Sequence, residues 1–437
     1  MLGRFTSEKG FYGWVNLATA AVMSIIVGLY LVSFSYFLPF LVKEFGWNRG
    51  ITSLAATINM IVLGFCGPVA GYFIVKCGAR SSILLGNIVG CLGFLLLSFH
   101  SRLWQLFLGY GILVGLAAGF GGFLACTTVI NNWFVKKRSL ALGIFLSAGG
   151  AGGIFMGPTL MALITKQGWR TTYLIMGGLV ILFSVISPAL LIRNKPQDLG
   201  QIPDGSEGSK PITTSRSSRP QAGYRTPVDF SLKEAVRTPT LWLLIAYFCL
   251  NMLAMGAIMT HQVAYLFDIG FTAALAAIAG SVMTGVMTFA QFGSGFVGMR
   301  YSMHSIAIAG EVLKIIGAVI LVSFRSVPPI FAAMVVLGMG FGSVSLATMN
   351  MFPNYFGLLN YPKIMGFARL FWAFIGGAGA PLAGLVRDRS GSYLVAFQAA
   401  ILILVVGLIF LILARAPIHP SLKTETRQPV GAPAASD

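Results

Sequence analysis

A handful of ionisable side chains sit within long apolar stretches of this chain: Arg369, His261 and the pair Glu311 and Lys314. Holding a charge in an apolar environment is costly, so each is a functional candidate by default. The planar guanidinium of Arg369 can grip a carboxylate through two parallel hydrogen bonds, or it can snorkel to an interface. His261, with Gln262 and Tyr265 beside it, can bind an anion, carry a proton near neutral pH or simply pack. Glu311 and Lys314 are three residues apart and share one helix face. They read as an internal ion pair first and as a proton-coupling site second. Tyr30, Ser33, Tyr36, Asn251 and Asn350 can line a polar cavity or bond one helix to another.

The acids restrict the chemistry further. The chain has 12 Asp and Glu residues, and only Glu311 lies well inside an apolar stretch. A cation carrier needs a carboxylate or an aromatic cage to offset desolvation. An internal arginine without an acid favours an anion, leaving proton coupling to His261, Glu311, or no residue at all. No catalytic constellation is present: the four histidines form no HExxH, and there is no GxSxG or GxxxxGK[ST]. The five cysteines, Cys66, Cys77, Cys91, Cys126 and Cys249, show no metal-binding spacing. No enzyme activity, metal or cofactor is expected.

The elements that must position these residues are membrane helices. Hydrophobic residues are 56% of the chain and charged residues 10%, against about 25% charged in soluble domains. Runs of about 20 apolar residues suffice to cross a bilayer. The apolar stretches predict twelve such spans, near 13–40, 51–75, 81–99, 103–133, 139–165, 171–193, 240–267, 272–298, 303–324, 328–353, 363–386 and 393–414. The expected fold is all-α, two six-helix bundles at 1–193 and 240–414. A linker at 194–239 joins them, and a polar tail follows at 415–437. The linker stretch SEGSKPITTSRSSRP reads as disordered, and FSLKEAVRTP as a short amphipathic segment lying on the membrane surface. The basic start, Arg4 and Lys9, runs directly into the first span, which argues for a retained helix rather than a cleaved leader.

The net charge of +18 would suggest nucleic acid in a soluble protein. Here the basic residues alternate between loops, with about 20 on the side of the termini and about 8 on the other. That bias predicts cytoplasmic termini and contact with the lipid bilayer rather than with nucleic acid. The halves also repeat their punctuation: GPVAGYFIVKCGAR (67–80) answers GSGFVGMRYS (293–302), and GGAGGIFMGP (149–158) answers GGAGAP (376–381). Such glycines let helices approach closely, and Pro158 and Pro381 can bend them.

These stretches resemble the major facilitator superfamily, nearest its monocarboxylate transporter-like and oxalate/formate antiporter-like branches. KGFYGWVNLA (9–18), YFLPFLVKEFGWNRGITS (36–53), NNWFVKKRSLALGI (131–144), THQVAYLFDIGFT (260–272) and NYFGLLNYPKIMG (354–366) carry the resemblance in order. It implies a secondary transporter of the cell membrane, bacterial and inner, working as a monomer by alternating access. The substrate implied is a small organic anion, first a monocarboxylate such as lactate or pyruvate, moved with a proton or by exchange. Gly71, Arg80, Gly295 and Arg300 fall at the family's gating loops, yet Val75 and Met299 stand where its gate acids belong. In the eighth span Gln291 replaces a common arginine, Met287 an aspartate, and in the fourth Phe123 replaces a tyrosine. The expected substrate ligands are therefore Arg369 and His261, with Gln291, Tyr30, Phe123 and Asn350 around them. Dicarboxylate exchange, a neutral solute, or a non-transporting sensor on the same fold remain alternatives.

Overall fold

The computed structural model describes residues 10–204 and 225–421. Within them every long apolar run is a helix, as backbone groups without water must be satisfied internally. In chain order these are α1 (Gly13–Phe45), α2 (Gly50–Cys77), α3 (Ala79–Phe99), α4 (Leu103–Trp133), α5 (138–167) and α6 (169–191). The second half supplies α7 (Pro239–Asp268), α8 (Ala274–Val297), α9 (Met303–Ser323), α10 (Val327–Phe356), α11 (Tyr361–Ser390) and α12 (Tyr393–Leu413). Helices α5 and α6 run on as a single 54-residue stretch, Arg138–Leu191. A straight helix of that length would be about 80 Å long, far beyond a bilayer core of about 30 Å. Gly168 divides it: at φ 81° and ψ 158° it reverses the chain, a conformation that disfavours any side chain. Three further helices are interrupted, α1 at Ser33, α4 at Gly122 and α11 at Ala378.

The helices alternate in direction, so the termini, the linker and the α2–α3, α4–α5, α8–α9 and α10–α11 turns share one side, here called the linker face. Apolar packing differs along the helix axes. Near the linker face one buried cluster runs across both bundles, from Leu17, Ala20, Met23 and Phe145 to Phe248, Met351, Met365 and Ala368. In the opposite half there are two separate clusters. One, around Phe37, Phe94, Tyr110 and Tyr173, belongs to the first bundle. The other, around Ile258, Tyr265, Met283 and Phe397, belongs to the second. The bundles are thus joined at the linker face and apart at the other.

Two seams make that junction. In α2 and α11, Gly67 abuts the Gly366 carbonyl and Gly71 the Pro362 carbonyl, so that a Cβ at either glycine would collide with backbone. In α5 and α8, Gly143 lies against the Gln291 carbonyl, and Gly295 against Ser139 and Leu140. With no hydrophobic drive between helices in lipid, such close backbone approach is what holds them together. The second seam reaches Gly150 beside Thr288; beyond it, a Cβ on Gly153 or Gly285 would meet nothing within 4 Å. On this outer part of α5, Pro158, Thr159, Lys166 and Gln167 line a concavity of about 420 Å3.

The amphipathic segment behaves differently from expectation. Its helix, Leu232–Val236, starts at a Ser231–Glu234 capping box. Its apolar residues Phe230 and Ala235 are fully buried in protein, Phe230 edge-on to Phe356 at 5.6 Å, so they are not offered to lipid. The linker stretch expected to be disordered, 206–220, and most of the polar tail lie outside the described residues.

Candidate functional site

Arg369 sits on α11 eight residues past Tyr361, about 12 Å in from the linker end. Its Cβ faces α2, 3.3 Å from where a Cβ on Gly67 would stand, which puts the side chain at the seam between bundles. It is half-buried, and its guanidinium carbon lies 5.5 Å from the centroid of Trp372. Trp372 in turn packs on Phe248 of α7 at 4.8 Å. Among the described residues no hydrogen bond or ion pair engages the Arg369 guanidinium. The acids nearest the membrane interior are taken: Glu44 by Arg170 at 2.6 Å, Glu311 by Lys314 at 2.6 Å, and Asp268 by Arg387 at 3.7 Å. A guanidinium without a counter-ion can pair bidentately with a carboxylate.

Other expected ligands are placed along or away from this seam. Gln291 lies in α8 against α5, buried, with its amide oxygen lacking any donor. Phe123 follows the break at Gly122, is half-buried and meets Phe145 edge-on at 5.5 Å. It packs on the same cross-bundle cluster as Phe371 and Trp372.

Tyr30, expected as a ligand, turns away: fully buried, its hydroxyl donates to Asn87 Oδ1 of α3 at 2.7 Å, inside the first bundle. Asn350 is likewise buried, its amide donating to Leu346 O of its own helix at 3.0 Å.

His261 is not brought to Arg369. Its Nε2 lies 2.9 Å from the Ala380 carbonyl, just past the α11 interruption, and its ring stacks on Tyr393 at 4.9 Å. Ala380 is eleven residues beyond Arg369, about 16 Å along the helix. A small monocarboxylate cannot touch both. Glu311 is sealed inside the second bundle with no exposed surface. Tyr247 of α7 donates to its Oε2 at 2.7 Å, and Lys314 lies 5.3 Å from the Phe341 ring centroid.

The glycines Gly71 and Gly295 lie in the two seams, but the arginines beside them do not cross between bundles. Arg80 donates to the Ala189 carbonyl, and its backbone N–H to Asn194 Oδ1 at 2.8 Å, tying α3 to the end of α6. Arg300 is exposed. Pro158 sits inside an unbroken stretch of α5, while Pro381 follows the break at Ala378.

Sequence reasoning missed the polar contacts across the linker face. Tyr361 of α11 meets Thr127 Oγ1 of α4 at 3.2 Å, and Arg138 of α5 donates to Asn354 Oδ1 at the end of α10 at 3.0 Å. Both Arg138 and Asn354 lie in stretches already singled out for their resemblance, and that was the available signal.

Comparison with known proteins places this geometry. Residues 20–357 match the family model described as Major Facilitator Superfamily. Monocarboxylate transporter 13 of Bos taurus is 28% identical over 423 residues, covering 93% of this chain and 90% of that protein. Human monocarboxylate transporter 2 is 24% identical over 96% of this chain and 88% of that protein. With mouse monocarboxylate transporter 14 the match is 30% identical but takes in only 38% of this chain and 32% of that protein. Among solved structures, the transporter FucP in its outward conformation is similar at a TM-score of 0.68 and 17% identity, covering 93% of this chain and all of that one (100%). The human organic anion transporter MFSD10 is similar at 0.70 and 14% identity, over 92% of this chain and 100% of that one.

Proposed function

The chain belongs to the Major Facilitator Superfamily, and we propose that within it this transporter carries a small organic anion whose carboxylate is bound by Arg369. The observation that carries this reading is the guanidinium at the α2–α11 seam with no acidic partner among the described residues. A carboxylate arriving there gains two charge-assisted hydrogen bonds and neutralises a cation that is otherwise costly in that setting. Monocarboxylates come first, in keeping with the names of the relatives; a dicarboxylate moved by exchange comes second.

In this reading the cleft opens away from the linker face and admits the anion to Arg369. The bundles then rock about the seams, the cleft closes, and the linker face parts. In this reading that face and both termini are cytoplasmic, which the basic loops favour, and the membrane is a bacterial inner membrane. Glu311, enclosed by Lys314 and Tyr247, is not used as a proton carrier. His261 at the outer end of α7 acts on the α11 interruption through Ala380 rather than on the substrate.

The test is uptake of labelled lactate and pyruvate into proteoliposomes holding the full chain, with and without a pH gradient. Saturable uptake that Arg369→Ala abolishes and Arg369→Lys partly keeps is the expected result. Full saturable uptake by Arg369→Ala would overturn the assignment. A second reading, a neutral hydroxylated solute, is favoured by the buried Gln291 oxygen that lacks a donor. Competition of uptake by neutral polyols, lost in Gln291→Leu, would select it.

A further inference from the structure

Val75 and Met299, which occupy the places of the two missing gate acids, are both exposed on the linker face. Besides the contacts of Tyr361 with Thr127 and of Arg138 with Asn354, polar links across this face involve the two described ends of the linker. On the first-bundle side, Asp204 accepts the backbone N–H groups of three consecutive residues in the α4–α5 turn. Its Oδ1 takes Val135 and Lys136, the latter at 3.0 Å, and its Oδ2 takes Lys137 at 2.8 Å.

On the second-bundle side, Asp229 Oδ1 accepts Leu358 N at 2.6 Å and Leu359 N at 3.2 Å in the α10–α11 turn. Gly357 makes this possible: at φ 87° it turns both N–H groups toward the carboxylate, and a Cβ there would strike Asp229. Phe230 N–H adds a bond to the Phe356 carbonyl at 2.9 Å.

Between these anchors the links span the bundles. Thr226 N–H bonds the Asn354 carbonyl at 2.9 Å, while its neighbour Arg225 donates back to the Val135 carbonyl. Arg138 reaches the Asn354 side chain from the opposite direction. Asp204 lies within electrostatic reach of both arginines. Burial pulls the Arg225 guanidinium below the ordinary arginine pKa, and the Asp204 carboxylate opposes that shift.

We propose that the two ends of the linker form a clasp that holds the linker face closed, with Asp204 as its acid and Arg225 and Arg138 as its cross-bundle cations, in place of the gate acids absent at Val75 and Met299. Parting of the linker face then requires Arg225 to leave Val135 and Arg138 to leave Asn354. Asp204 is a positioning residue: it fixes the turn that carries Val135 and balances the two arginines.

The experiment needs no substrate, so it stands apart from the anion reading. Spin labels at Lys76→Cys and Tyr301→Cys, exposed positions on the linker face of different bundles, are placed in a cysteine-free full-length chain in nanodiscs. Pulsed electron resonance then measures the distances between them. The parent gives one dominant short distance. Asp204→Asn and Arg225→Ala raise the ratio of long to short distances roughly tenfold, within the usual range of coupling between sites. Asp204→Glu restores the parent ratio, which a merely structural loss would not allow. Distributions unchanged within about twofold in both variants would overturn the proposal. Should Asp204→Asn not fold, Arg225→Ala alone decides, since its side chain carries only the cross-bundle bond.

Discussion

Two charge sites in the second bundle, one buried and one half-buried, answer desolvation in opposite ways. Glu311 and Lys314 lie on the same face of α9, at 2.6 Å and without exposed surface, and Tyr247 donates to the same carboxylate oxygen, Oε2. Arg369 on α11 has an aromatic neighbour and no counter-ion. The first site is closed within one bundle, all its partners lying on α7 and α9. The second faces the other bundle across a seam. A buried ion pair within one bundle is a structural unit, whereas a lone cation at the seam is, in the proposed function, neutralised by a ligand. Position relative to the seam, more than residue type, divides the two roles.

The largest expected effect breaks the closed site. Glu311→Ala strands Lys314 in an apolar interior and costs about 3–5 kcal/mol, read as a lowered unfolding temperature in detergent. The paired replacement Glu311→Leu with Lys314→Met returns most of that stability and keeps uptake. A stable but inactive double variant would instead make Glu311 a proton carrier. Next, Arg369→Ala lowers anion uptake at low substrate by about 30- to 160-fold, the loss of charged hydrogen bonds worth about 2–3 kcal/mol. Its unfolding temperature stays near that of the parent, and a large drop would show Arg369 to be structural too.

Tyr247→Phe removes one donor from the buried carboxylate and lowers stability by about 1.5–3 kcal/mol, with no change in substrate affinity. The smallest effect sharpens the open site: Trp372→Ala removes a cation–π contact worth about 1 kcal/mol and weakens anion affinity about fivefold. Equal affinity in that variant would mean that the ring does not help hold the guanidinium in place.

The architecture was legible because long apolar runs can form only one element in lipid, and all twelve spans fall where those runs predicted. The seam glycines were legible from their repeat in both halves. Which face a residue takes was not. Helix α1 is apolar nearly all round, so its pattern did not reveal that Tyr30 turns toward Asn87 and away from the seam. Nor did spacing show that His261 engages Ala380, 119 positions away, or that Arg138 meets Asn354 across 216. Those pairings depend on how helices pack within each bundle and, for Arg138, on how the bundles dock, and that information lies in three dimensions. The same holds for Asp204 and Asp229, which in sequence are ordinary polar residues of a linker.

The apolar cluster that runs across both bundles near the linker face has an electrical consequence. It is an apolar insulating layer continuous across both bundles, while the apolar clusters beyond it are separate. Whatever voltage the membrane carries must therefore drop mainly across this layer, at about 2.3 kcal/mol per elementary charge for each 100 mV. In the proposed cycle, an anion that reaches Arg369 from the open side still has most of the field ahead of it. Voltage should then act weakly on loading and strongly on the step that parts the linker face, so that currents would report the rocking of the bundles more than the arrival of substrate.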